Sequence, residues 1–181
     1  MPTVRACPIP ENAFLRRYLD TGAFADCYRI SFDGHVHQSD YIAAFYTTRL
    51  FRLERLILHW AARRPSTDEE AVELGLGKRT HFAAWRVEAQ DDDQLLLCDD
   101  TGRTRSWLMA VVQPGSGPMQ TVLHFGSAVV PRKDSAGGAA SPGFPFSALL
   151  GFHKLYSRLL LRAAHARLAM RTPDRAAGPS V

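Results

Sequence analysis

From about Thr80 to Val130 the apolar residues recur with a period of two, and the alternating runs are separated only by short turns. Residues 81–87 read as one strand and residues 94–98 as the next, across the acidic turn Asp91-Asp92-Asp93. Asp100-Thr101-Gly102 leads into a third strand at 104–113, and Pro114-Gly115-Ser116-Gly117-Pro118 into a fourth at 119–130. Parallel neighbours need long crossovers, so four strands joined this way predict an antiparallel meander.

The flanking segments constrain what the meander packs against. Residues 26–32 (DCYRISF) alternate Asp26, Tyr28, Ile30 and Phe32 with Cys27, Arg29 and Ser31, which predicts another strand ending at Asp33-Gly34. A helix capped by Ser39 or Asp40 follows, with Ile42, Phe45, Tyr46, Leu50, Leu53, Ile57 and Trp60 at helical spacing until Arg64-Pro65 stops it. Ser66-Thr67-Asp68-Glu69 has the form of a capping box and opens a short acidic helix that stops near Gly75 or Gly77. Residues 131–146 are rich in Gly, Pro, Ala and Ser and read as a loop. A last amphipathic helix over 147–170 carries Leu149, Phe152, Tyr156, Leu159, Leu160 and Ala163. The expected fold class is α+β, a curved antiparallel sheet wrapped around the long C-terminal helix. The expected organisation is an N-terminal extension (1–20), a single domain (21–170) and a tail (171–181).

Composition narrows the class of function. A chain of 181 residues can bury one sizeable core, and 46% hydrophobic with 22% charged residues is ordinary for a globular protein. The net charge of +4 comes from 22 basic and 18 acidic residues, of which only Lys78, Lys133 and Lys154 are lysines. This scatter of arginines does not form a nucleic-acid footprint, and no nucleic-acid partner is expected. Cys7, Cys27 and Cys98 cannot all pair within one chain and fit no zinc spacing, which predicts free thiols in a reducing compartment. The N-terminus lacks the apolar core of a signal peptide and no apolar run could span a bilayer, so the expected location is cytoplasmic. Lys154, Arg158, Arg162, His165, Arg167 and Arg171 make the last helix basic on its outer side, which fits either favourable charge placement near a helix C-terminus or contact with an anionic membrane surface. The sequence leaves monomer and homodimer open.

The order of elements resembles the helix-grip fold of the START, Bet v 1 and polyketide-cyclase superfamily. Phe24-Ala25-Asp26-Cys27-Tyr28, the 95–111 hairpin, Thr121-Val122-Leu123-His124-Phe125 and Gly151-Phe152-His153-Lys154 are similar to a small bacterial family of unknown function within it. That resemblance covers roughly residues 24–170. It implies a cavity and an apolar ligand, and it singles out Asp26 on the first strand and His153 at the start of the last helix. Asp99-Asp100-Thr101-Gly102-Arg103 stands where a His-containing stretch is expected in that family.

Several residue patterns suggest chemistry. Gly75-Leu76-Gly77-Lys78 lacks the spacing of a phosphate loop and follows a helix, so it reads as a helix end. His35-x-His37 could face one ion, but too few further ligands accompany it, and no metal site is expected. His124 shares a strand face with Val122, Gly126 and Ala128, and is either a satisfied core histidine or a polar group in a cavity. Arg105 alternates onto the face of Trp107 and Met109, and either pairs with Asp99 or Asp100 at the exposed start of the strand or binds an acidic head group beside an apolar pocket. His153 and Tyr156 are neighbours on one helix face, and if the first strand runs beside that helix, Asp26 either orients His153 for acid–base chemistry or simply ties helix to sheet by a structural hydrogen bond.

These observations predict a small-molecule binding protein without cofactor. A hydrophobic ligand would sit among Tyr28, Arg105, Trp107, Met109, His124, Phe152 and Tyr156, with residues 131–146 as a lid. The alternative is a cofactor-independent cyclase, isomerase or lyase with His124, Asp26 or His153 as acid–base groups.

Overall fold

The computed structural model describes residues 2–53, 66–114, 117–130 and 144–171, with backbone only for 144–152. It is α+β, built on one seven-stranded antiparallel sheet. The strands are β1 (Arg5–Ala6), β2 (Phe24–Asp33), β3 (His81–Phe82), β4 (Trp85–Gln90), β5 (Gln94–Asp99), β6 (Thr104–Gln113) and β7 (Gln120–Val129). The helices are α1 (Gln38–Tyr46), α2 (Asp68–Gly75) and α3 (Phe144–Arg171), with a 3-10 helix over Phe14–Thr21. The sheet order is β1-β2-β7-β6-β5-β4-β3. The meander is therefore present, and its last strand returns to lie beside β2.

Four local details depart from the sequence-based expectation. The run 81–87 is not one strand but a hairpin, since Ala83 and Ala84 turn the chain so that Phe82 pairs with Trp85. Ala83 takes φ +52°, a conformation that alternation of side chains gives no hint of. The helix expected to run on from Ser39 stops at Tyr46. There the Thr47 and Thr48 hydroxyls donate to the carbonyls of Ala43 and Phe45, and Thr48 Oγ1 accepts from Phe51 N–H. Thr48 thereby caps a fresh helical stretch at 49–53, while 54–65 lie outside the described residues. His37, not Ser39 or Asp40, is the N-cap position of α1, and the α2 capping box is Thr67 with Glu70, one residue later than expected.

The sheet is covered on both faces. On one, Tyr28, Ile30, Phe32, Leu95, Leu97, Leu108, Leu123 and Phe125 pack with α1, α2 and α3 to form the main core. Helix α3 contributes Leu160, Leu161, Ala164 and Leu168, whereas Leu159, placed on its apolar stripe by sequence, is 47% exposed. On the opposite face, Cys27, Leu96, Trp107, Met109 and Ala128 are covered by the N-terminal segment through Ala13 and the fully buried Leu15. Residues 2–20 thus close the back of the sheet, with Arg5–Ala6 paired to β2. No described helix is long and apolar enough to cross a membrane.

Candidate functional site

Alternation along β2, β6 and β7 decides which side chains can meet. Asp26, Ser127 and Ser106 occupy one rung across these three strands, and all project toward α3. His153, in the third turn of α3, comes down on this rung. Ser127 Oγ lies 2.7 Å from Asp26 Oδ1 and 2.6 Å from His153 Nε2, while His153 Nε2 and Asp26 Oδ1 are 4.0 Å apart. The expected Asp26–His153 pair is therefore bridged by a serine. The hydroxyl has one proton, and the carboxylate can only accept. Ser127 accordingly donates to Asp26, and His153 donates to Ser127 through Nε2–H. In the neutral ring this leaves Nδ1 as the basic atom.

Tyr28 completes the cluster by donating its hydroxyl to Asp26 Oδ2 at 3.2 Å. Burial, and then the Asp26 carboxylate beside it, push the Tyr28 phenol up to about 12, so it stays a donor. The Arg158 guanidinium lies 5.3 Å from the Tyr28 ring centroid and Lys154 Nζ 5.8 Å from that of Phe24. The edge of the cluster at α3 is thus basic. Ser127 is buried, whereas the His153 side chain is 29% exposed, so the chain of hydrogen bonds runs from interior to surface.

Beside this cluster is a cavity of about 160 Å³. Its apolar wall is Phe45, Phe51, Trp85, Phe125, Tyr156 and Leu160, and its polar wall is Thr104, Ser106, Ser127 and His153. Ser106 Oγ is within 3.1 Å of the Tyr46 hydroxyl. Trp85 Nε1 is buried without a hydrogen-bond partner among the described residues, on a residue that belongs to the cavity wall. The site combines a ring-lined space with donors and acceptors along one side.

The seven residues expected to line a single cavity do not converge. Tyr28 and Tyr156 are on the α3 side of the sheet, with Phe152 on the same helix but its side chain outside those described. Trp107, Met109 and His124 have the other parity and point into the layer under the N-terminal segment. Arg105 borders the cavity, but its guanidinium is bound on the far face. There Arg105 Nε donates to Glu88 and to the Tyr18 hydroxyl, both at 2.7 Å. The ladder shifts register between Val87 and Ala89, so Glu88 is the extra residue of a bulge, free to meet Arg105. This pairing removes Arg105 as a binder of an acidic head group.

His124 is likewise not at the cavity. It is 7% exposed, lies 6.1 Å from the Trp107 ring and faces its cross-strand partner Arg29. Burial, and next the Arg29 charge, push it down to about 4. It is a neutral core histidine near neutral pH, and Nδ1 has no partner among the described residues.

Ser127, Phe45, Phe51, Trp85 and Phe125 were not singled out by sequence reasoning. Ser127 and Phe125 have the parity opposite to His124 on β7, so they face α3 while His124 faces the N-terminal layer. His35 and His37 meet edge to face with ring centroids 4.3 Å apart. Among the described residues no three His, Cys, Asp or Glu side chains are grouped to hold a metal ion. No protein-family model and no curated protein matches this chain.

Proposed function

We propose that the chain is a small-molecule binding protein of the helix-grip class, as its resemblance to the START, Bet v 1 and polyketide-cyclase superfamily implies. The β2–helix–meander–helix order, with β7 returning to β2 and α3 across the sheet, supports that reading. The observation that carries it is the ring-lined cavity of about 160 Å³ flanked by the Asp26–Ser127–His153 chain. A comparable engineered apolar cavity, about 150 Å³, accepts benzene. The ligand class is therefore a single ring or short branched chain bearing one hydrogen-bonding group.

Phenol, benzyl alcohol and benzoate are suitable probes, read by calorimetry and ligand-observed NMR. At least one binds, and Ser127→Ala weakens it about tenfold, the loss of one hydrogen bond to a polar group. Absence of binding by all three, with no small molecule released from the purified protein, overturns the reading.

A second reading, an acid–base enzyme such as an isomerase or cyclase, is favoured by the hydrogen-bond directions. A proton taken up at His153 Nδ1 makes an imidazolium whose Nε2–H already points, through Ser127, toward the Asp26 carboxylate. Ser127 is not set up as a nucleophile, since its proton goes to Asp26 and not to the imidazole. Exchange of α-protons of a bound ring ketone in D2O, abolished by His153→Gln, distinguishes this from binding alone. A rate equal to the buffer rate disposes of it.

A further inference from the structure

The β1–β2 ladder places Arg5 opposite Arg29 and Ala6 opposite Tyr28, and the next residue, Cys7, donates its N–H to Cys27 O at 3.0 Å. Cys7 and Cys27 are thus directly opposed across an antiparallel pair. Facing residues at a hydrogen-bonded position have Cα atoms about 5.5 Å apart, within the span a disulfide tolerates. Both side chains fall on the back face, and the two sulfurs are 3.3 Å apart. Cys98 is occupied elsewhere, near the Arg86 guanidinium and the Asp99 carbonyl.

The two thiols are chemically unequal. Cys7 is partly exposed and Cys27 buried. The hydrogen-bonding contact with Cys27, and then the Arg29 charge, hold Cys7 below the ordinary thiol range against the opposing effect of burial. The Cys27 thiol is pushed up by the same contact and by its burial. Such a pair has a more accessible thiol to attack and a resolving thiol already in place.

We propose that Cys7 and Cys27 form a redox pair, closed by hydrogen peroxide to a disulfide that latches the N-terminal cover onto β2. In the first step Cys7 Sγ⁻ attacks one peroxide oxygen. An S–O bond forms, the O–O bond breaks, and the departing hydroxide takes up a proton as water. In the second, Cys27 Sγ attacks Cys7 Sγ. The S–S bond forms, the S–O bond breaks, and the hydroxide leaves with the Cys27 proton as a second water. The two thiols lose two electrons and the peroxide gains them. The closed loop spans residues 7–27 and contains the 3-10 helix whose Leu15 is fully buried against the sheet.

The test uses the full chain, reduced and then treated with stoichiometric peroxide. Intact mass falls by two hydrogens, thiol titration under denaturing conditions falls from three to one, and peptide mapping links Cys7 to Cys27. Cys7→Ser, at the more exposed position, keeps both remaining thiols. Oxidation also slows tryptic cleavage at the exposed Arg16 and Arg17 severalfold, and the variant shows no such slowing. Three thiols after peroxide, or oxygen adducts on Cys7 with Cys27 still free, overturn the pair. Unchanged cleavage in a linked protein overturns the latch.

Discussion

The two faces of the sheet are made by the same strands, yet they solve opposite problems. On the N-terminal side the polar groups beneath the cover are paired almost completely. Gln94 Oε1 accepts from Trp107 Nε1 at 3.0 Å and from Phe14 N–H at 2.9 Å, while its Nε2 donates to Asn12 O at 3.0 Å. Arg105, Glu88 and Tyr18 tie the 3-10 helix down in the same way. Packing is tight enough that a Cβ at Gly126 would sit 2.7 Å from Leu15 Cδ2 and 2.9 Å from Asp26 O, so glycine is needed there for close approach. On the α3 side, the rung holding Asp26 and Ser127 opens onto free volume lined by rings. One face is closed by the N-terminal cover, and the other carries the main core together with a ring-lined cavity.

The largest effect is expected from the closed face. Trp107→Ala removes a fully buried indole and strips Gln94 Oε1 of a donor, and should cost about 3–5 kcal/mol. Urea unfolding checks it. A loss below about 1 kcal/mol would mean the N-terminal layer contributes little, and the contrast between the faces would fail.

His124 gives the next effect, and its sign follows from its environment. The folded protein holds His124 near 4, below the ordinary 6.5, so between these values the unfolded chain binds more protons. Stability from this group is full above pH 6.5 and is lost as pH falls toward 4, by up to about 3 kcal/mol. Comparing wild type with His124→Gln across that window isolates the contribution from carboxylates that titrate nearby. Parallel stability curves would show that His124 is not buried beside Arg29 as described.

How much of this was legible in the sequence depends on the range of each interaction. The meander, β2, α2 and α3 follow from local periodicity and turns, and residues 94–113 read almost as they fold. The N-terminal cover was not legible, because Leu15 and Phe14 acquire a role only when β5, β6 and β7 assemble beneath them. Asp26 and His153 were picked out as a pair, but Ser127 between them depends on the β2–β7 register, a contact between residues 101 apart in sequence. Alternation correctly grouped Arg105, Trp107 and Met109. It could not say which face of the sheet α3 would take, and the free volume lay on the other.

The smallest expected effect decides whether the free volume has a use. Leu160 is 2% exposed, sits on α3 and borders the cavity. Leu160→Phe projects a ring into space already present, so it should not overpack. Cavity filling of this kind typically stabilises by about 0.5–2 kcal/mol, and the lower end is expected because part of the wall is polar. The same ring occupies the place of a ligand, so binding of phenol or benzoate should fall by at least tenfold while thermal stability holds or rises. The two readouts must move in opposite directions. If both fall, α3 has been displaced from the sheet and the variant says nothing specific about the cavity wall. If stability rises and binding persists, the ligand occupies another part of the molecule, and the distinction between a closed face and a receiving face collapses.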